Sequence, residues 1–233
     1  MTVLHFADEG EAADLAAFLS RLLHYDRAAA VRLQAAGTAL AVFGRPPSFE
    51  VLAVRAVRLA KPYEDGLDVT LDVTVSAGEF LDSVDEAAAT AAVPAAVTGP
   101  PWAGVLPPRG GWRAERGLPA PAALRAMVSA AVAEFRSRTQ ELAPEQRTRA
   151  ELDRIGRDIW SQAVGETHLP VRAVHAAQSL GFLRPAAPAG SAREPVEESP
   201  VLLSSGAWLR LRTPYGSIAV RRAGLGALEV SVR

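Results

Sequence analysis

The fourteen residues from Gly99 to Trp112, GPPWAGVLPPRGGW, gather two tryptophans, two Pro-Pro pairs, a Gly-Gly pair and an arginine. Gly110-Gly111 lets backbone N–H groups approach an anion closely, and Arg109 or the following Arg113 supplies a cation to pair with it. Trp102 and Trp112 offer broad apolar surface that stacks on a ring or anchors a protein partner. The plainer reading is that the indoles lid a core while the prolines stiffen a long connection. Trp102, Arg109, Gly110, Gly111, Trp112 and Arg113 are the candidate ligand- or partner-binding residues.

A second concentration of charge is Arg210, Arg212, Arg221 and Arg222. Set on a hairpin over Trp208–Arg222, behind a helix pair at Thr148–Val164 and Val171–Leu180, they would mimic a winged helix whose wing meets phosphates. Against this, the second helix offers only Arg172, His175 and Gln178 amid alanines for reading base edges. The arginines also alternate with apolar residues, as any solvated strand face does.

Other constellations are thinner. Glu166, His168 and His175 lack the spacing of a metal motif, and no metal site is expected. Asp68 and Asp72 share a strand face, but their alternation with threonines places them in water, where paired carboxylates do little acid–base work. Asp82, Asp85 and Glu86 read as a helix surface. Ser76 and Ser204-Ser205 lack a nucleophile elbow. Gly224-Leu225-Gly226 lacks the third glycine and the helix of a dinucleotide fingerprint. No cofactor is implied.

Composition narrows the field. At 233 residues the chain has room for one large domain or two small ones, since a domain takes roughly 100–200 residues. There is no cysteine, which excludes disulfides, thiolate metal sites and a thiol nucleophile. The start, MTVLHFADEGEAAD, carries acids where a secretory signal needs bases, so no signal is expected and a cytoplasmic location follows by default. The uncharged run from Ala87 to Pro108 is mostly alanine interrupted by proline, a poor membrane span. Net charge is −1, unevenly spread: −7 over residues 1–100, +2 over 101–200 and +4 over 201–233. Such opposite ends suit docking within one chain or between two. Lys61 is the only lysine, and with abundant alanine this resembles the codon bias of a GC-rich genome. Arginine therefore says less here about bidentate anion recognition than it usually does.

The elements that must position these residues read as α+β. Val3–Phe6 is a first strand, and Asp8 with Glu11 forms a capping box opening a helix from about Glu9 to His24. Val31–Gln34 and Ala39–Phe43 flank a hairpin turn, and Phe49–Leu59 follows as a strand. Leu67–Ser76 alternates strictly between apolar and polar residues. Ser76 and Glu79 cap a helix running through Phe80, Leu81 and Val84. Helical faces recur at Leu124–Phe135, Leu152–Trp160 and Val171–Leu180, the last closed by Gly181. Residues 184–200 read as a flexible linker. Leu209/Leu211, Ile218/Val220 and Leu228/Val230/Val232 predict a three-strand meander, which needs further support to be stable.

The expected organisation is an α+β unit with a mostly antiparallel sheet and two helices over 1–113, a helical segment over 114–183, the linker over 184–200, and the meander over 201–233. The expected function is non-enzymatic binding or assembly in the cytoplasm. Another protein or a second copy would contact the loop over 99–113. A small-molecule enzyme or sensor with its ligand under that loop is the alternative, and the winged-helix reading ranks below both. Nucleic acid and membrane are not expected partners.

Overall fold

The structure, a computed structural model, describes residues 2–60, 71–184 and 199–222. In chain order the elements are β1 (Val3–His5), α1 (Glu9–Tyr25), β2 (Ala30–Ala36), β3 (Ala39–Gly44), β4 (Leu52–Arg58), β5 (Asp72–Ser76), α2 (Ala77–Asp82), β6 (Val84–Asp85), β7 (Thr90–Ala92), β8 (Arg113–Ala114), α3 (Pro121–Gln140), α4 (Arg149–Trp160), α5 (Val171–Ser179), β9 (Val201–Ser205), β10 (Trp208–Thr213) and β11 (Gly216–Arg221). The fold is α+β with antiparallel sheets, and β9–β11 form a meander.

Local chemistry sets most of these boundaries. The Asp8 carboxylate accepts from the Glu11 N–H at 2.8 Å, which opens α1 where the capping box places it. The hydroxyls of Ser76 and Thr148 play the same part for Glu79 and Glu151. Gly181, in the left-handed region just past α5, closes that helix as its position predicts.

Two boundaries differ from expectation. The helix after Ser76 stops at Asp82, because the Ser83 hydroxyl donates toward the Phe80 and Ala92 carbonyls and turns the chain. Val84 consequently pairs with Ala91 in a strand. The strand expected from Phe49 begins at Leu52. Pro47–Phe49 winds into a 3-10 turn and Glu50 takes a left-handed conformation, so pairing cannot start earlier. The expected meander strand Leu228–Val232, the turn at Ala223–Gly226, Asp68 and most of the expected linker lie outside the described residues. The meander seen here gains Val201–Ser205 as its first strand.

β1, β7 and β6 make a small sheet, in that order. The main sheet has eight strands in the order β5-β2-β3-β4-β11-β10-β9-β8. Its two halves meet where β11 pairs with β4 through Ser217↔Val54, Ile218↔Ala53 and Ala219↔Leu52. The meander therefore extends the N-terminal sheet, which supplies the support that three strands alone lack.

One face of the sheet carries the main core. Leu33, Leu40, Val42, Val57, Leu209, Leu211 and Ile218 are buried there with Phe18 and Leu22 of α1, Leu124 of α3, Ile155 of α4 and Val174 of α5. A tight turn joins β10 to β11 at Gly216, whose φ is +154°. A Cβ there would fall 2.6 Å from the Phe182 ring. An ion cluster pins α1 to β4. The buried Arg55 donates to Glu11 at 3.0 Å, Asp14 at 3.4 Å and the Tyr215 carbonyl at 2.8 Å. Arg58 reaches Glu11 and Arg184 reaches Asp14, so both carboxylates have a second cation. Among the described residues no helix is long and apolar enough to cross a membrane.

Candidate functional site

The other face of the sheet positions the site. Alternation along the strands brings Arg32 and Gln34 of β2, Phe43 of β3, Val54 of β4 and Arg210 of β10 to this side. The loop from Gly99 to Trp112 crosses over them. Its entry is tied to the sheet edge where the Val97 N–H donates to the Thr74 carbonyl at 2.9 Å. Pro101–Gly104 forms a 3-10 turn that buries Ala103. Trp102 and Leu106, half-buried, then pack on Phe43, Leu52, Val54 and Ala219 with Trp208. Trp102 is thus partly a lid, the plainer of its two readings.

Between loop and sheet lies a cavity of about 370 Å³. The floor is apolar, from Ala41, Phe43 and Val54. Leu106, Pro107 and Pro108 form the roof, and Arg32, Arg109 and Arg210 border it. These three arginines are not equivalent. Arg32 is held by Asp72 in a two-pronged ion pair, with Nε at 2.7 Å and Nη2 at 2.9 Å. Its Nη1 also donates to the Ala103 carbonyl, tying the roof to the floor. Gln34 donates to Asp72 at 3.0 Å. The hydrogen bond from Arg32 holds the Asp72 carboxyl below the usual aspartate range, against the opposing effect of burial. Gln34 and the charges of Arg32 and Arg109 add to the lowering.

Arg210 has no such neutralisation. Its Nε donates to the Ser217 hydroxyl at 2.9 Å and its guanidinium lies 5.8 Å from the Trp112 ring centre. No carboxylate pairs with it among the described residues. Burial, and after it the charge of Arg212, pulls its guanidinium below the usual arginine range. Arginine nonetheless stays charged at neutral pH.

The remaining loop residues are built around Trp112. Its Nε1 donates to the Pro108 carbonyl at 3.0 Å, and the Ser205 hydroxyl donates to the Gly110 carbonyl at 3.2 Å. Gly111 takes a positive φ of +74°, the conformation that favours glycine. Arg109, Gly110 and Gly111 are exposed, as is Arg113, which pairs with Ser204 at the start of β8.

The four C-terminal arginines do not act as one group. Arg210, Arg212 and Arg221 share the face under the loop, with Arg221 beside Trp208 at 5.2 Å. Arg222 instead binds Glu115 at 2.8 Å. The β10–β11 hairpin lies between β4 and β9, inside the sheet. Glu166 and His168 are exposed, while His175 is packed among rings. Among the described residues no three His, Asp or Glu side chains are grouped to hold a metal ion.

Arg32 and Gln34 were absent from the sequence candidates. The alternation in Val31-Arg32-Leu33-Gln34 does place both on one strand face. No sequence signal said that this strand would lie beside Asp72, or that the loop would cover it.

Residues 107–225 match a family described as Domain of unknown function (DUF8185). The chain belongs to the DUF8185 family. Residues 1–104 match another, Domain of unknown function (DUF8010). The two matches abut in the loop that roofs the cavity, so the site draws Arg32 and Phe43 from one and Arg109 and Arg210 from the other. No curated protein matches the chain.

Proposed function

We propose that the chain is a non-enzymatic binding protein of the cytoplasm that holds a small anion in the cavity under the Gly99–Trp112 loop. The supporting observation is Arg210, a half-buried guanidinium that borders this cavity without a carboxylate partner among the described residues. A desolvated cation left unpaired is costly, and an entering carboxylate or phosphate would compensate it with a charge-assisted hydrogen bond. Arg109, an exposed residue on the roof side of the cavity, would add a second contact. The lining supplies cations, an amide and apolar surface, a set suited to holding an anion rather than to moving its protons.

The test is titration with inorganic phosphate and with succinate at low salt, followed by tryptophan fluorescence, since Trp112 adjoins Arg210. Binding of either probe with Kd under about 1 mM, lost in Arg210→Met, is expected. Equal binding by wild type and Arg210→Met would defeat the proposal. A second reading keeps the loop as a contact for another protein or a second copy. It is favoured by Val97 and Val105, which are exposed large apolar residues just before and within the loop. Native mass spectrometry distinguishes the two: a bare oligomer that Val105→Asp dissolves supports self-association, and a monomer carrying a small mass supports the anion.

A further inference from the structure

A second cavity, of about 850 Å³, opens on the opposite side of the sheet from the loop site. It lies between the 3-10 turn at Pro47–Phe49 and helices α4 and α5. Its walls are unusually rich in rings for a chain that is 6% aromatic. Tyr25 packs edge-on to Phe49 at 5.3 Å and Phe49 edge-on to His175 at 5.0 Å. His175 stacks on Trp160 at 4.8 Å, and Trp160 leans on Phe135 at 6.1 Å. All five side chains border the cavity. Burial holds the His175 imidazole below its ordinary range, so at neutral pH it is one more uncharged flat wall.

Charge lies at the same place. Arg157 and Arg172 border the cavity, with the exposed Glu50 carboxylate also on its lining, and among the described residues no ion pair joins either arginine to a carboxylate. Among the described residues the Arg172 Nε has no hydrogen-bond partner, as is also true of the Nε atoms of Arg55 and Arg222. The remaining cation, Arg149, is already paired with Asp153 at 3.3 Å. The floor includes Gly156, in the middle of α4. A Cβ there would make only ordinary contacts, 3.5 Å to Trp160 and 3.8 Å to Phe135. Alanine would fit against both rings and would favour the helix, so neither packing nor helix geometry demands glycine here.

We infer that this cleft binds a planar aromatic anion, its ring system against the walls of Trp160, Phe49 and His175 and its acidic group on Arg157 and Arg172. Ring contacts favour offset or edge arrangements like those already lining the cleft. Arginine pairs phosphate and carboxylate through parallel N–H donors. The volume falls in the range of small-ligand sites.

Two probes separate the acidic groups: adenosine 5′-monophosphate for a phosphate and 2-naphthoate for a carboxylate. Adenosine and ribose 5-phosphate are the controls that keep only the ring or only the charge. Calorimetry on the full chain should show binding of at least one probe with Kd under about 1 mM, and at least tenfold weaker binding of adenosine and ribose 5-phosphate. Arg157→Gln, at an exposed position, should keep the thermal midpoint while weakening the bound probe about tenfold. Gly156→Leu should abolish binding by filling the floor, with Gly156→Ala as the folded control. Absence of binding by both probes, or unchanged affinity in Arg157→Gln, overturns the inference. Because Arg210→Met leaves this cleft intact, its effect on phosphate and succinate is read independently.

Discussion

Arginine to methionine at two positions, Arg55 and Arg210, should give opposite results from the same chemical change. Arg55 is almost fully buried, with 5% of its side chain exposed, and it donates to Glu11, Asp14 and the Tyr215 carbonyl. Removing one member of a buried ion cluster costs about 3–5 kcal/mol, mostly by leaving carboxylates uncompensated. Arg58 and Arg184 still face Glu11 and Asp14, which puts Arg55→Met at the lower end, about 3 kcal/mol. For a chain of this size that is a fall in Tm of roughly 6–12 °C. Arg210→Met loses the hydrogen bond to Ser217, worth about 1–2 kcal/mol. It also removes a half-buried cation that has no carboxylate partner among the described residues and that Arg212 repels, while the methionine stem keeps the apolar contacts. The net change should stay within about 1 kcal/mol, a Tm shift of at most about 4 °C. Thermal melts followed by circular dichroism at neutral pH measure both. Should Arg210→Met cost as much as Arg55→Met, Arg210 is a structural cation and the anion cavity loses its foundation.

Two further outcomes bear on the scaffold. Gly216→Ala forces a Cβ into the Phe182 ring at a backbone angle that only glycine adopts easily, and should cost about 3 kcal/mol, read as a lower denaturant midpoint with an unchanged slope. Asp72→Asn tests the acid limb. The folded-state pKa of Asp72 lies below its unfolded value, so its contribution is complete above about pH 4 and is lost as pH falls further. The variant should therefore lose less stability than wild type between neutral pH and about pH 3, and parallel curves would show that the Arg32–Asp72 pair does not support the sheet.

Much of the scaffold was legible because it rests on local chemistry. Asp8 with Glu11 and Ser76 with Glu79 announce helix starts through a side-chain acceptor three residues from its donor. The turn between Val31–Gln34 and Ala39–Phe43 is equally local. The misread boundaries were settled by partners distant in sequence or by turn geometry. Ser83 ends its helix by reaching Ala92, and Glu50 interrupts a run whose apolar pattern reads as continuous strand. Val201–Ser205 is short and has too little alternation to declare itself before Trp208 pairs with it.

The site follows the same division. The loop from Gly99 to Trp112 stood out by residue type alone, and its tryptophans drew attention as exposed anchors. Register decided the rest: which strand face the loop would cover, and which arginines would come to border the cavity beneath it. Arg32 and Arg210, nearly 180 residues apart in the chain, border one cavity only because β4 and β11 are neighbours. His175 and Trp160 read as ordinary helix-face residues because their stacking joins two helices whose packing no local pattern reveals.

The β4–β11 seam has a kinetic consequence. Its three register pairs join residues about 165 positions apart, and closing a chain segment of that length costs roughly 4–5 kcal/mol of entropy beyond a constant. Contacts of such high order carry a closure cost that the hairpins on either side do not, and they slow folding. The cavity under the loop straddles this junction, so its lining is complete only when the two halves are joined. Any molecule held there would bind the finished sheet and not its two unjoined halves, and would slow their separation. Occupancy would then lengthen the lifetime of the native state, making the protein's persistence under proteolysis a gauge of ligand concentration.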